Sequence, residues 1–368
     1  MRTIADLSML GRPVIMKFES RKFFCDNQDC RRKTFAEQPG DEVFRYRRRT
    51  RRCEMVVVQH GLKSSSESAG KLLSAIGVRV SGDTVLRDIH RMSVPSHQEV
   101  HGIGVDDWAF RKGVTYGSII VSLDTGEVID LLEDWGVESF REWLDSHARV
   151  RVVSRDRSTD YSAAIAATGR EITEVADRFH LNMNMSDCVK KVISSHYEEY
   201  RRAVRPEEAE ESPTKTDSRQ AMFNEVKELQ AAGLKTAQIA HIVDKSIRKK
   251  KMRDGEALIV ERLMPLGWFK DIYDAAATFY DTIMGDSVDD LTVWLKTYAQ
   301  SPLRELRSLA YGIQMDLKAV QNAIATNISN GIVEGYVNKL KAVKRTMYGR
   351  ASLALLKRKM VFSDLCFN

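Results

Sequence analysis

Three carboxylates in this sequence stand where they could hold metal and move phosphate. Asp106, with Asp107 beside it, closes a short apolar run that begins at Ile103. Asp156 ends a second such run, Val150-Arg151-Val152-Val153-Ser154-Arg155. Glu334 follows the turn Ser329-Asn330-Gly331 and falls in the first turn of a helix otherwise rich in lysine and arginine. Acids at the tip of a buried strand are costly unless something cationic meets them. Hard divalent cations want oxygen ligands, and two of them about 3.5–4 Å apart clamp the attacking and leaving oxygens of an in-line phosphoryl transfer. On that reading Asp106 bridges two Mg2+ or Mn2+ ions, Asp156 holds one and Glu334 the other. Asp107, which shares the strand end but points to the other face, and Asp177, which ends a later strand, are the stand-ins. An acid at a strand end is otherwise a solvated side chain, and an acid in a basic helix a salt-bridge partner. The elements that would bring the three together therefore decide the reading.

Those elements follow from the periodicity. Val114 to Leu123 alternates, Asp124-Thr125-Gly126 makes a tight turn, and Glu127 to Leu132 alternates again. With the strand from Ile103 this is an antiparallel meander. Val137 to His147 is an amphipathic helix with Phe140, Trp143 and Leu144 on one face, and Tyr161 to Ala167 is helical. Ile172 to Ala176 is a strand ending on Asp177, and Arg178-Phe179-His180 opens a long helix. Three antiparallel strands followed by two crossovers make an RNase H-like mixed α/β sheet. In that order the first and fourth strands are neighbours, which puts Asp106 and Asp156 side by side.

The remainder of the chain reads as apparatus for a polyanion. Its 368 residues, 43% hydrophobic, suffice for two or three domains. No apolar run spans a bilayer and no signal-peptide pattern follows Met1, so a cytoplasmic protein without membrane contact is expected. The net charge of +6 is unevenly spread, with basic clusters at 45–52, 248–253 and 339–359 and acids at 207–211. Six arginines fall in the eight residues from Arg45 to Arg52. Of these, Arg47, Arg48 and Arg49 are expected on phosphates, together with Lys249, Lys250, Lys341, Lys344 and Arg345. Ser68 to Ile76 and Ser81 to Met92 read as a helix-turn-helix, with Ser81 as N-cap and Arg87 on the helix that would enter a major groove. Residues 183–325 are helical in pattern, broken by an exposed loop from Arg205 to Ser218. A second helix-turn-helix-like segment spans 219–253, with Ala221 to Leu229 and Thr236 to Val243 as its helices. Cys25 and Cys30 could supply half of a tetrahedral zinc site on a turn between short strands. Cys53 and His60 are the nearby candidates to complete it, and neither has a zinc-knuckle spacing, so less than one equivalent of zinc is expected.

Gly104-Val105-Asp106-Asp107-Trp108-Ala109-Phe110-Arg111-Lys112-Gly113, Ser154-Arg155-Asp156, Ala176-Asp177-Arg178-Phe179-His180-Leu181, Ser329 to Gly335 and Lys344 to Arg350 together resemble the DDE transposases of bacterial insertion sequences. The ISL-three family is the nearest group, and the resemblance covers nearly the whole chain. It implies an RNase H-like core with a large helical insertion between the second and third acids, which by motif position fall on Asp106, Asp156 and Glu334. It also implies cut-and-join chemistry on double-stranded DNA, at terminal inverted repeats and a target, by a homo-oligomer assembled on that DNA. The expected layout is a partial zinc-ribbon-like region at 1–44 and a basic segment with the helix-turn-helix at 45–98. A first part of the catalytic core at 99–182, the insertion at 183–325, and a catalytic helix with basic tail at 326–368 follow. The family usually carries a further Cys/His set ahead of the pair matching Cys25 and Cys30, and this sequence begins inside that module. A DNA-binding remnant without transposition activity and a metal-dependent nuclease are the competing readings.

Overall fold

The structure is a computed structural model that describes residues 2–37, 40–43, 45–96, 99–111, 113–204, 236–252 and 254–363. At the N-terminus, β1 (Arg2–Met9) and β2 (Arg12–Phe18) form an antiparallel hairpin. Leu10 and Gly11 turn it with φ of 52° and 73°, a left-handed pair that glycine eases. A smaller hairpin, β3 (Lys22–Phe24) with β4 (Thr34–Ala36), carries Cys25 and Cys30 in its connection.

Three helices follow: α1 (Arg51–Lys63), α2 (Ser66–Ala75) and α3 (Gly82–His90). Each starts on a hydroxyl N-cap. Thr50, Ser65 and Ser81 accept the backbone N–H groups of Cys53, Ser68 and Thr84, each cap contributing about 1 kcal/mol. The sequence reading expected α2 and α3 but not α1, which begins inside the arginine run. Gly61 lets α1 approach α3 closely, since a Cβ there would lie 2.3 Å from Val85 Cγ1.

The central sheet has the order β7-β6-β5-β8-β9. β5 (Gly102–Arg111), β6 (Thr115–Ser122) and β7 (Val128–Leu131) are the antiparallel meander, while β8 (Val152–Arg155) and β9 (Thr173–Ala176) run parallel to β5. This is the order expected from the alternation. One face, through Ile103, Val105 and Ile120, is covered by α4 (Val137–Ser146) and α5 (Thr159–Ala167), which bury Phe140, Trp143, Leu144 and Tyr161. Each such large side chain contributes about 1.5–3 kcal/mol on burial.

The other face, through Trp108, Ile119 and Val121, lies in one continuous core with Val333, Val337 and Leu340 of α14 (Gly331–Thr346) and Leu355, Leu356 and Met360 of α15 (Leu353–Val361). Cys53, Val57, Leu73 and Ile89 of the three N-terminal helices belong to the same core. Lys359 of α15 is 2% exposed and donates to the carbonyls of Gly61, Leu62 and Ser64 at the end of α1. The two ends of the chain are thereby packed into one body.

Between β9 and α14 the described residues form a helical layer with its own core. It contains α6 (Arg178–Ser195), α7 (Tyr197–Val204), α8 (Thr236–Ile247), α9 (Asp254–Leu263), α10 (Gly267–Met284), α11 (Val288–Tyr298), α12 (Arg304–Met315) and α13 (Leu317–Ala325). Phe269, Phe279 and Trp294 are buried in it, with Trp268 and Tyr273 packed partly buried against it. The expected loop from Arg205 to Ser218 and the first helix and turn of the 219–253 segment lie outside the described residues. Thr236 to Val243 falls within α8, which buries Ala240, Ile242 and Val243 in the layer's core. Among the described residues no helix is long and apolar enough to cross a membrane.

Candidate active site

The register of the parallel pair β5–β8 fixes the first contact. Gly104 lies opposite Ser154, and the same register carried two residues on sets Asp106 beside Asp156, the first residue beyond β8, whose charge acts on Asp106. Asp106 shares its sheet face with Gly104 and Trp108, the face covered by α14. One Asp106 oxygen accepts the Asp107 N–H at 2.8 Å. Burial pushes the Asp106 carboxyl up to about 6, and the charges of Asp156 and Asp107 add to that while the Asp107 N–H and His180 oppose it. Asp107 points to the opposite face, where the Tyr161 hydroxyl donates to it and Tyr161 also meets Ser118 Oγ at 2.8 Å. Asp107 is thus tied into the α5 side of the sheet.

Asp156 is held from its backbone. Its Oδ1 accepts the Ser158 N–H at 3.0 Å, and its carbonyl accepts Arg155 Nη1 at 2.9 Å. Arg155 is 2% exposed and pairs with Glu174 at 2.6 Å and Asp316 at 2.8 Å, which ties the end of β8 to the junction of α12 and α13. Asp177 caps α6 through Phe179 N–H at 2.9 Å and binds His180 Nδ1 at 2.7 Å, so both its oxygens are engaged. That bond, with smaller contributions from Asp106 and Asp156, raises the His180 imidazole to about 9. A protonated imidazole therefore faces the two carboxylates. The sequence reading passed over His180, although its place one helical turn after Asp177 was a signal of such a pair.

α14 is fastened along β5 at two points. Asn330, 1% exposed, donates Nδ2–H to Val105 O at 3.3 Å, and Lys344 Nζ donates to Ala109 O at 2.7 Å and Phe110 O at 2.9 Å. Between them Val333 sits directly on Gly104. Glu334, the next residue, is half-buried in the first turn. Among the described residues no three of His, Cys, Asp or Glu come together as a metal-holding group. The structure pairs Asp106 with Asp156 and leaves Glu334 on the flank of α14. The pair itself suits a hard cation: two carboxylates whose charges act on each other, while at neighbouring Gly104 the buried Asn330 Oδ1 and, on β8 opposite it, Ser154 Oγ make no hydrogen bond.

The basic residues divide. Arg47 pairs with Asp88 at 3.3 Å and Glu54 at 3.5 Å, and Arg49 pairs with the same two acids. Those two arginines and Lys344 hold the fold together internally, a use the sequence reading did not foresee. Arg48, Arg87, Lys249, Lys341 and Arg345 are exposed, and so is Lys250, with its Nζ 4.0 Å from Asp244. Cys30 Sγ meets Arg32 O at 3.4 Å, while Cys53 is fully buried in the α1–α3 core and His60 Nδ1 lies 2.9 Å from Val56 O.

The sequence model of the ISL-three family of DDE transposases, described as "Transposase", matches residues 103–360, and the chain belongs to that family. The chain is similar to a solved Drosophila P element transposase strand transfer complex, at 11% identity over 85% of this chain and 91% of that one, with a TM-score of 0.45. No curated protein matches it.

Proposed function

We propose that this chain is the transposase of an insertion sequence. It binds double-stranded DNA at terminal inverted repeats, cuts it in a metal-dependent reaction and joins the freed 3′ end to a target, as a homo-oligomer on the DNA. The observation that carries the reading is the Asp106–Asp156 pair, inside the region matched to the transposase family. Asp106, Asp156 and Glu334 would hold two Mg2+ or Mn2+ ions, which when bound supply Lewis-acid stabilisation of the phosphoryl group and activation of its attacker. The chain's own residues prepare that site. The Asp107 N–H fixes one Asp106 oxygen, Arg155 fixes the backbone at Asp156, and His180 balances the paired negative charge. Arg48, Lys341 and Arg345 offer charge to phosphates, and α3 with Arg87 is the helix for the major groove.

The test is cutting of a duplex bearing the element's end, with Mg2+ or with EDTA, by the wild-type protein and by Asp106→Asn, Asp156→Asn and Glu334→Gln. Each variant should lose cutting while binding the duplex as tightly as the wild type. Near-normal cutting by the Asp106 or Asp156 variant refutes the site. Cutting without joining by the wild type would make the protein a nuclease.

A further inference from the structure

The helical layer forms a cleft that the reaction as described leaves without a role. It lies between α6 and α12, has a volume of about 470 Å3, and is lined by Arg157, Asn184 and Lys191 on one side and Arg304 and Ser308 on the other. Such a volume suits a nucleotide-sized group and is too small for a duplex. Its place relative to the carboxylates follows from helix geometry. His180, which faces Asp106 and Asp156, is followed along α6 by Asn184, Asp187 and Lys191 at intervals that keep one stripe. From His180 to Lys191 that stripe runs about 16 Å. Arg157, the residue after Asp156, stands at the same cleft and donates Nη2–H to Gly312 O of α12, while its buried Nε makes no hydrogen bond.

The charges favour a phosphate chain. Lys191 and Arg304 are exposed, and neither is in an ion pair among the described residues. Of the two acids in the lining, Asp187 is paired with Lys190 at 2.8 Å, which leaves Glu305 as the opposing charge. We propose that this cleft is a track for a single strand of DNA leaving the active site, the strand that flanks the phosphate being cut. Lys191 and Arg304 take its phosphates, and Asn184 and Ser308 offer hydrogen bonds to whatever base is carried there. A positive groove that follows the backbone is how single strands are held without regard to sequence. The inference rests on the phosphoryl-transfer reading for the identity of the strand, and its test does not require cutting.

The experiment uses the full chain in EDTA with three fluorescein-labelled probes: a blunt 20-base-pair duplex of arbitrary sequence, and the same duplex with a five-nucleotide tail on its 3′ or on its 5′ end. The wild type should bind one tailed duplex about fivefold more tightly than the blunt one, with a salt dependence steeper by about 1.4 for two added contacts. Lys191→Ala with Arg304→Ala should erase both differences and leave blunt-duplex affinity unchanged. Glu305→Gln should strengthen tail binding, the opposite sign, which a merely damaged fold would not produce. A wild type indifferent to both tails, or a double variant that keeps the gain, overturns the proposal. A protein that ignores the tails yet cuts DNA with Mg2+ overturns only the cleft; one that prefers a tail but never cuts overturns only the catalytic reading.

Discussion

Gly104→Ala is the sharpest probe of how α14 is set against β5. A Cβ at this position would lie 2.4 Å from Val333 Cγ2 and 2.5 Å from Asn330 Oδ1. Ordinary contact needs about 1 Å more, and both neighbours are buried on the first turn of α14, so the helix must retreat by roughly that distance. The stability cost of such overpacking is about 1–3 kcal/mol. The cost to chemistry should be larger, because misplacing a site by about 1 Å can reduce a rate about 100-fold. Glu334 rides on the displaced turn while Asp106 and Asp156 stay on the sheet. Expected, then, is a folded protein with a slightly lower Tm, unchanged duplex binding and cutting slowed about 100-fold, followed by single-turnover kinetics and thermal unfolding. Adding Val333→Ala should return part of the rate by making room, a coupling that two independent defects would not show. Cutting within about threefold of wild type in Gly104→Ala would refute the claim that this contact places α14.

Three further outcomes are expected. Arg155→Gln should destabilise by about 3 kcal/mol, since it strips the partner from Glu174 and Asp316, and denaturant unfolding measures it. The Asp177–His180 bond holds the imidazole up to about 9 against an ordinary 6.5. Its stabilisation should therefore be full below pH 6.5 and lost as pH rises through 9; the stability gap between wild type and His180→Gln, measured at pH 6 and pH 9.5, should shrink at the higher value. Arg49→Ala should lower Tm, since it removes one of the arginines that balance the buried Asp88 carboxylate, whereas Arg48→Ala should leave Tm alone and flatten the salt dependence of duplex binding by about 0.9.

How much of this could be read in the sequence depended on the distance between partners. The sheet was legible because alternation, a Gly-containing turn and two crossover helices each leave local marks, and the parallel register then pairs Asp106 with Asp156. Ser81 as the cap of α3 was legible for the same reason. α1 was obscured because its Thr50 cap and its first residues, Arg51 and Arg52, lie inside a run that reads as a basic segment, while the apolar residues from Val56 to Val58 lie just beyond. The internal use of Arg47 and Arg49 depends on Asp88, and that of Lys344 on carbonyls of β5. No spacing rule reaches across such gaps. Asn330 is the clearest instance, since its hydrogen bond to Val105 spans 225 positions. The three carboxylates differ in the same way: strand order sets Asp106 near Asp156, but the position of Glu334 depends on how a returning helix docks, which periodicity does not encode.

The shared core of the chain's two ends also sets an order of events during synthesis. Lys359 bonds to Gly61 across 298 positions. At roughly 5–20 residues per second, a ribosome needs about 15–60 s to make the intervening chain. For that interval α1, α2 and α3 can form through their caps, but the apolar surface destined for Leu355, Leu356 and Met360 has nothing to cover it. A nascent chain therefore carries its arginine-rich helices with an exposed apolar face until α15 emerges. Translation that stops before α15 leaves that face uncovered, and docking of Leu355, Leu356 and Met360 is the step that completes the core of the N-terminal helices.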